Sequence, residues 1–585
     1  MHSEIGSMWA VFRNRKLKFS ILKYNMRPNI IELFEKTFNE CADMPALTDY
    51  PTQQTWTYLQ LAESVAKYHI FFKNAGIKRG EKIALMSEST SAFVRAYVAI
   101  VTYGAVSVPI LPGFSTTDAA FIINHSDSRL LLSEKKIWDR IGESQLDNIM
   151  GVYDLNDGVI LKVTDPQFEQ AFKSLPADFK AKYPEGFRPD DIKYEKVDLE
   201  DLMIISYTSG TTGSPKGVML PIRSITANAY FAMAQPLHFR GGNALSILPL
   251  AHAFACAFDM FYPLALGVHV TLLGRIPSPA ILTKAMAEVK PTIMCVVPLV
   301  LEKIVKGKIW PALRKQPVKF LTKIPGIDRL IYKKVTKQLL ETFGGRLVEV
   351  PTGGAALDPE VEKFLLKIKF PVIVGYGMTE CGPLVSYSSR HDFVRTSVGA
   401  VVYEGDVRID KPGKDGIGEV CINGAHVMLG YYKNPELTAQ TIDKDGWLHT
   451  GDIGFVREIK GKKVIFLRGR NKTMILSADG QNIYPEEIEF KLNDLPYVME
   501  SFVYQDKGAL VGLVYPDYER AKKDGLDLAA IRVKMDENLA ELNAVVGNYE
   551  RLKEIRLLSE PFVKTPKQSI KRNLYPQEAV FAPEA

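Results

Sequence analysis

Short apolar runs alternate with helical patterns along most of the chain. The run IALMS, which begins at Ile83, precedes a helical pattern and then the apolar run VSVPIL. The same order recurs around the helical segment 253–266, and further apolar runs occupy 292–298 and 372–377. Buried parallel strands are typically continuous apolar runs that are joined by helices. The pattern therefore predicts an α/β fold with mainly parallel sheets layered with helices.

The pattern changes towards the C-terminus, which predicts a second domain. After about Gly405 the chain shows short strands with turn signals. After Arg470 a small charged unit begins, and it ends in a strand-like segment near Ile570. A chain of 585 residues also exceeds what a single core usually supports. We predict three parts, namely a basic N-terminal extension at 1–25, a large domain at 26–470 and a small domain at 471–585.

One loop after an apolar run has the composition of a phosphate-binding loop, and ligands bind at the carboxyl ends of parallel strands. The string YTSGTTGSPKGVML at 207–220 combines glycines, hydroxyls and a lysine. Glycines let backbone N–H groups approach an anion, while hydroxyls and a lysine add donors and charge. It differs from a nucleotide-hydrolase loop, since Gly217 stands where a Ser or Thr should follow Lys216. We predict a different phosphate loop, with a polar glycine-rich linker as the alternative.

Composition narrows the class of protein further. The 73 basic and 67 acidic residues leave a net charge of +6, which does not indicate a nucleic-acid binder. The five cysteines are far apart, which indicates neither a zinc site nor a disulfide framework and favours a reducing cytoplasm. Residues 1–25 lack the apolar core and cleavage site of a signal peptide. Prolines and a glycine interrupt the most apolar region, 244–274, so we expect buried strand and helix there instead of a membrane span.

Several strings accompany the phosphate loop in a fixed order. They are TGGAAL at 352–357, GYGMTE at 375–380, GYYKNPELT at 430–438, GWLHTGD at 446–452 and GRNKTMILSADGQNIYPEEIE at 469–489. Together they resemble the adenylate-forming superfamily of acyl-CoA synthetases, luciferases and peptide-synthetase adenylation domains, over nearly the whole chain from about Ile30. TGGAALDPEVEKFL followed by PVIVGYGMTECGPLVS is most similar to the long-chain fatty-acyl-CoA synthetases. The implied fold is a large domain with layered sheets and a distorted β-barrel part, followed by a small α+β domain.

The resemblance implies a ligase that uses ATP, Mg2+ and CoA. In the implied reaction a fatty-acid carboxylate attacks the α-phosphorus of ATP and releases pyrophosphate. The CoA thiol then attacks the resulting acyl-AMP. The phosphate loop would hold the β- and γ-phosphates that leave.

The resemblance also implies roles for individual residues. Glu380 and Thr208 would ligate Mg2+, and Asp452 would accept the ribose hydroxyls, with Arg470 contacting ribose or phosphate. Tyr376 would stack on adenine beside a backbone edge at Gly353, Gly354 and Ala355. The triphosphate would contact Thr208, Ser209, Gly210, Thr211, Thr212, Gly213 and Lys216. The other implied cofactor-binding residues are Gly377, Met378, Thr379, Lys472 and Gly480.

Each of these residues also has a purely structural interpretation. Glu380 would cap a helix, Tyr376 would pack after a strand, and Asp452 would close a turn. His252 matches the position beside the carboxylate pocket, where it has either a catalytic or a structural role. The aromatic side chains behind it would line an acyl tunnel or belong to the core; they are Phe254, Phe258 and Phe261.

Two positions depart from the family pattern. The hinge string usually has an Asp where Thr473 stands, which leaves Lys472 as the pivot about which the small domain rotates. Near the C-terminus, Ser569 occupies the position of a lysine that contacts the carboxylate and α-phosphate. In a strand, Lys567 and Lys571 would share the face of Ser569. We predict that Lys567 takes the catalytic role.

One basic stretch of the large domain suits a membrane partner. Eleven Lys or Arg residues and a single acidic residue, Asp328, lie between Lys303 and Lys337, interleaved with aromatic and aliphatic residues. This composition suits peripheral contact with an anionic membrane surface. The alternatives are a solvated basic helix and a platform for the CoA phosphates. The sequence does not indicate an oligomeric state.

Three functions remain open. The first is activation of a medium- or long-chain fatty acid to acyl-CoA. The second is ligation of an aryl acid, or transfer of acyl-AMP to a carrier protein; the chain ends ten residues after Tyr575, so we expect no fused carrier domain. The third, motivated by Ser569, is a catalytically weakened homologue that binds acyl groups or nucleotide.

Overall fold

The computed structural model divides into two compact units. The large unit comprises Met1–Val407, Ile422–Leu448 and Glu458–Val464, and the small unit comprises Arg408–Cys421, His449–Arg457 and Ile465–Ala585. The structure describes residues 27–142, 146–208, 215–235, 239–274, 278–322, 324–389, 392–402, 405–476, 482–565 and 570–582, without the side chains of residues 472, 476 and 482.

The described residues form nineteen α-helices, most of which begin at a capping side chain. Asn29 and Thr57, for example, each form a capping box with the acidic or amide residue three positions later. The helices are α1 Ile30–Glu40, α2 Tyr58–Asn74, α3 Ser91–Tyr103, α4 Thr116–His125, α5 Lys135–Ile141, α6 Pro166–Lys182, α7 Ile222–Met233, α8 Ala253–Ala255, α9 Tyr262–Leu266, α10 Pro279–Val289, α11 Pro298–Ile304, α12 Trp310–Arg314, α13 Val318–Leu321, α14 Ile327–Thr342, α15 Pro359–Lys367, α16 Pro435–Thr441, α17 Pro485–Asn493, α18 Tyr518–Lys523 and α19 Leu528–Val545. Within the described ranges, the structure contains no helix long and apolar enough to cross a bilayer.

The strands follow the alternation of apolar runs. They are β1 Pro45–Asp49, β2 Gln54–Thr57, β3 Lys82–Met86, β4 Val106–Pro109, β5 Ser128–Ser133, β6 Gly151–Asp154, β7 Ile160–Val163, β8 Leu202–Thr208, β9 Lys216–Pro221, β10 Asn243–Ser246, β11 His269–Leu272, β12 Val350–Thr352, β13 Val372–Gly377, β14 Leu384–Tyr387, β15 Gly399–Val401, β16 Gly405–Asp410, β17 Gly418–Gly424, β18 Gly430–Tyr431, β19 Leu448–Ile459, β20 Lys462–Arg470, β21 Ile475–Leu476, β22 Asn482–Ile483, β23 Val498–Asp506, β24 Ala509–Pro516 and β25 Leu552–Leu557.

The sheets of the large unit confirm the predicted α/β class. One sheet has the strand order β18-β9-β8-β4-β3-β5-β6-β7, and a second has the order β10-β11-β1-β2. β3 is parallel to both β4 and β5, and β10 is parallel to β11. β12 is parallel to β13, which pairs with β14 in the antiparallel direction. The parallel strands are buried because helices cover their faces.

Two predicted elements differ from the structure. The run 292–298 was predicted as a strand, but it makes only isolated bridges, such as Ile293 with Glu349, before α11 begins at Pro298. The run ends where Pro298 begins α11, since proline favours the first turn of a helix. The predicted helix at 253–266 consists of α8, a π-helical turn at Cys256–Phe261 and α9. Pro263 cannot donate to the carbonyl four residues earlier, and π-turns of this kind are common at functional sites.

The small unit has its own sheet and core. β23 and β24 are antiparallel, and β24 and β25 are parallel. Buried side chains from this sheet and from α17 and α19 form one cluster, which includes Ile488, Val514 and Leu542. Arg572 forms a two-pronged ion pair with Glu489, whose side chain is buried. This pair ties the C-terminal segment to α17.

Candidate active site

The predicted phosphate loop joins two antiparallel strands of the large unit. Thr208, at the end of β8, lies directly opposite Lys216, at the start of β9. The hairpin therefore brings the two ends of the loop together and places a hydroxyl beside a lysine. Five predicted phosphate-binding residues lie outside the described residues, namely Ser209, Gly210, Thr211, Thr212 and Gly213.

A carboxylate, a tyrosine and a lysine meet beside this hairpin. The hydroxyl of Tyr431 donates a hydrogen bond of 2.9 Å to Oε1 of Glu380. Nζ of Lys216 lies 5.5 Å from the centroid of the Tyr431 ring. The cluster forms because β18, which carries Tyr431, pairs with β9. Burial and the neighbouring carboxylate raise the pKa of Tyr431, so its hydroxyl stays a donor to Glu380.

Helix α7 fixes the backbone that follows Glu380 and the backbone that precedes Tyr431. Nδ2 of Asn228 donates to the carbonyl oxygens of Cys381 and Gly382 at 3.1 and 2.8 Å, and Oδ1 accepts from Leu384 N at 3.1 Å. Arg223 donates to the carbonyl oxygens of Ala425 and Val427, just before β18. No motif in the sequence points to these two residues. The sequence signal that could have found them is a polar residue within an otherwise apolar helix. Such a side chain is buried, and a buried polar side chain requires hydrogen-bond partners.

The predicted adenine edge lies where β12 and β13 end. These strands are parallel neighbours, so their carboxyl ends lie side by side. Gly353 follows β12, and the segment from Gly375 to Met378 forms the end of β13 and the residue after it. A Cβ atom at Gly353 would lie 3.2 Å from the carbonyl oxygen of Gly375, so the two loops approach closely. Gly354 and Ala355 are exposed, whereas Tyr376 and Thr379 are buried.

Close packing alone requires a glycine at position 377. A Cβ atom at this position would lie 2.2 Å from the carbonyl oxygen of Pro383. The glycine therefore allows the chain to fold back after GYGMTE, whatever else its backbone contacts.

His252 caps a helix. Its Nδ1 accepts a hydrogen bond of 3.3 Å from the backbone N–H of Phe254 at the start of α8. Phe254 lies close to the predicted adenine edge, since its Cζ atom would be 3.9 Å from a Cβ at Gly353. The Phe258 ring centroid lies 5.8 Å from that of Phe254, and both side chains are half-buried.

Phe261, by contrast, belongs to the core. It is fully buried and packs against Phe34 and Tyr97, with ring centroids 5.7 and 5.2 Å away. Of the three aromatic residues considered for an acyl tunnel, only Phe254 and Phe258 are partly accessible.

The predicted ribose ligand lies in the small unit. Asp452 is only 7% exposed, and its Oδ1 lies 3.2 Å from Nε of the exposed Arg470. The sequence analysis predicted both residues as nucleotide contacts but not this ion pair.

Glu419 holds the turn that presents Asp452. Its Oε1 accepts from the backbone N–H of Gly451 at 2.8 Å, and its Oε2 lies 3.0 Å from Nδ1 of His449. Gly451 has a φ of 73°, a left-handed conformation that favours glycine. Cys421 Sγ lies 3.4 Å from the same His449 nitrogen, so three potential metal ligands lie together. Because both carboxylate oxygens already accept hydrogen bonds, we assign Glu419 a positioning role, which the sequence analysis missed.

We expect Glu419→Gln to raise the KM for ATP by about tenfold with a smaller effect on kcat. The amide keeps only one acceptor oxygen, so it cannot accept both from Gly451 N–H and from a proton on Nδ1 of His449, which loosens the turn before Asp452. Steady-state kinetics with varied ATP would measure the change. Glu458→Gln, on an exposed position of β19, is the matched control. An unchanged KM in the Glu419 variant would contradict the positioning role.

The remaining predicted residues lie near the hinge and the C-terminus. The backbone of Lys472 lies in a 3₁₀ turn at Asn471–Thr473, where the Thr473 hydroxyl donates to Glu486 at 2.6 Å. The backbone N–H of Lys571 donates to Val563 O at 2.9 Å, just before a second 3₁₀ turn. The side chain of Lys472 and all of Gly480, Lys567 and Ser569 lie outside the described residues, so the choice of catalytic lysine stays a prediction.

Comparison with known proteins identifies the family. The model of the AMP-binding enzymes matches residues 34–432. A long-chain-fatty-acid–CoA ligase from Rattus norvegicus is 27% identical over 522 residues, which cover 83% of this chain and 76% of the relative. A 4-coumarate–CoA ligase from Arabidopsis thaliana is 27% identical over 564 residues, covering 93% and 92%. The chain belongs to the AMP-binding enzyme family, within the adenylate-forming superfamily whose strings it carries.

A solved structure shares the fold. The structure of ATP-bound MatB from Rhodopseudomonas palustris matches with a TM-score of 0.72 at 20% sequence identity. The match covers 94% of this chain and 99% of that one. Both the observed sheets and this structural match therefore confirm the predicted α/β fold class.

Proposed function

We propose that this protein is an AMP-forming ligase that activates a medium- or long-chain fatty acid with ATP and transfers the acyl group to CoA. The products are acyl-CoA, AMP and pyrophosphate. The observation that carries the proposal is the cluster around Tyr431, whose hydroxyl donates to Glu380 and whose ring lies 5.5 Å from Nζ of Lys216, at the end of a phosphate-type hairpin. Family membership supports the same reaction class.

The chemistry of the donor set suits Mg2+ and a triphosphate. Mg2+ prefers oxygen ligands, and the Glu380 carboxylate and the Thr208 hydroxyl supply them. Bound there, the ion would neutralise charge on the phosphate oxygens. Lys216 would contact the leaving pyrophosphate, and Tyr431 would keep the carboxylate oriented. In the small unit, Asp452 would accept the ribose hydroxyls, since Glu419 holds its turn.

The apolar residues around His252 support the proposed fatty-acid substrate. Phe254 and Phe258 are half-buried aromatic side chains near the predicted nucleotide edge, and such a surface would receive an alkyl chain. The relative named as a long-chain-fatty-acid–CoA ligase supports this reading. An aryl acid is the second candidate, because two aromatic rings also suit a planar substrate and one relative is named a 4-coumarate–CoA ligase.

We also propose that residues 471–585 form the small domain that rotates about Lys472 between the two half-reactions. The reaction would take place in the cytoplasm, a reducing compartment consistent with five buried cysteines that form no disulfide.

Acyl-CoA formation across a series of acids tests the proposal. The series runs from acetate to oleate and includes benzoate and 4-coumarate, each with Mg-ATP and with CoA or a pantetheine-loaded carrier protein as acceptor. We expect product to peak at medium or long alkyl chains with CoA. A peak at aryl acids would favour the second candidate. Product only with the carrier would identify the acceptor as a protein, and no product with any acid while ATP binds would support a catalytically weakened homologue.

A further inference from the structure

Most of one helical stretch of the large unit leaves its side chains exposed or only partly buried. We define residues 303–337 as the basic helical segment, which contains α12, α13 and most of α14. From 310 to 338 none of the described residues is buried, although the stretch includes several large apolar residues. Phe320 is 63% exposed and Leu330 is 69% exposed. Large apolar side chains exposed to this degree on a stretch with no buried residue mark this surface as a candidate interaction site.

The two faces of α14 have different chemistry. Leu339 belongs to a buried core cluster, and Tyr332 and Val335 pack against that cluster, so one face of the helix points inward. Leu330 lies on the opposite face, because helical residues repeat every 3.6 positions. The neighbours of Leu330 on that face, three, four and seven positions later, are Lys333, Lys334 and Lys337. The outward face is therefore an exposed leucine followed by three lysines.

Little acidic charge offsets this face. The single acidic residue of the segment, Asp328, accepts a hydrogen bond of 2.9 Å from the N–H of Gly326 and so helps to begin α14. Lys337 pairs with Glu341 at 3.9 Å, an exposed pair that contributes little. Lys333 and Lys334 form no ion pair with any residue that the structure describes. The positive charge is thus available to a partner.

We propose that the basic helical segment docks on an anionic lipid bilayer. Phe320 and Leu330 would enter the boundary between headgroups and acyl chains, and the lysines around Leu330 would contact the lipid phosphates. An anionic bilayer provides both an apolar layer for the exposed apolar side chains and a negative surface for the lysines. The phosphates of CoA or of a nucleic acid would satisfy only the lysines. Docking would bring the enzyme to the phase in which long-chain fatty acids dissolve.

Co-sedimentation of the full chain with vesicles tests this proposal. Phosphatidylcholine vesicles with and without phosphatidylglycerol would be used at about 0.05 M and about 0.5 M salt, because screening weakens surface electrostatics. We expect binding to the anionic vesicles that falls at high salt. Phe320→Ser/Leu330→Ser and Lys333→Glu/Lys334→Glu should each reduce the bound fraction at least about tenfold.

Matched controls separate this surface from general effects. Val533→Ser/Val545→Ser removes two valines of α19 that are 57% and 65% exposed, and Lys522→Glu/Lys523→Glu makes the same charge change on α18. Both should bind vesicles like the unaltered chain. Pyrophosphate release with a soluble medium-chain acid in the absence of vesicles should be the same in all variants, so loss of docking and loss of catalysis are distinguishable.

Three results would overturn the proposal. The first is an unaltered chain that stays in solution with anionic vesicles. The second is binding that the two surface variants retain. The third is evidence for a different partner of this surface. In that case the two surface variants would still bind vesicles but would lose self-association, measured by light scattering, or affinity for CoA.

Discussion

We expect Glu380→Gln to lower acid-dependent pyrophosphate release by at least about 100-fold, because the neutral amide cannot balance the charge that develops on the phosphates. The change keeps the shape of the side chain and one oxygen that can accept from Tyr431. The loss should therefore appear in kcat and in a raised requirement for Mg2+, with folding intact. Initial rates over a Mg2+ titration would measure both.

Tyr431→Phe is the matched control for this prediction. It removes the hydroxyl that orients Glu380 but leaves the carboxylate and the ring beside Lys216. Loss of one hydrogen bond to a charged group should cost about tenfold in rate, well below the effect of Glu380→Gln. A Glu380→Gln variant within about threefold of the unaltered rate would contradict the role of this carboxylate.

Arg572→Met should destabilise the small unit by about 3–5 kcal/mol, the effect of leaving one partner of a buried ion pair alone. Glu489 is only 6% exposed, and its second contact, from Val503 N at 2.7 Å, does not neutralise the charge. Burial already raises the pKa of Glu489. Without Arg572 the folded state should favour the protonated form, so stability should fall as pH rises above the pKa of the unfolded chain. Urea unfolding at about pH 5 and about pH 8 would show the larger loss at the higher pH.

Two variants control for general effects of removing an arginine. Arg520→Met breaks an exposed pair with Asp524 in the same unit and should cost less than about 1 kcal/mol. The double change Arg572→Met/Glu489→Leu removes both charges and should recover most of the stability. If Arg572→Met were no more destabilising than Arg520→Met, the pair would not anchor the C-terminal segment.

The sequence predicts elements best where burial alone decides them. The strand, helix and strand that begin at Ile83 appear as β3, α3 and β4 because each is apolar enough to be covered on all sides. The run at 292–298 has the same apolarity, yet it makes only isolated bridges before α11 begins at Pro298. Composition alone does not distinguish these two cases.

The candidate site was predictable only in part, because its residues meet through contacts between distant parts of the chain. Strings along the chain point to Glu380 and Lys216 separately, but Tyr431 joins them through the pairing of β18 with β9. Such a register between distant strands cannot be derived from local patterns. Asn228 and Glu419 were missed because their partners lie far away in the sequence, at Cys381 and Gly451. The catalytic and binding roles of all the predicted site residues, Lys472 and Lys567 included, stay predictions.

Exchange of radiolabelled pyrophosphate into ATP tests the central claim most directly, since it reports acyl-AMP formation without CoA. We predict exchange that depends on Mg2+ and on a medium- or long-chain fatty acid, and that Glu380→Gln abolishes. Absence of exchange with every carboxylic acid, in a chain that still binds ATP, would contradict the proposal that this protein activates acids.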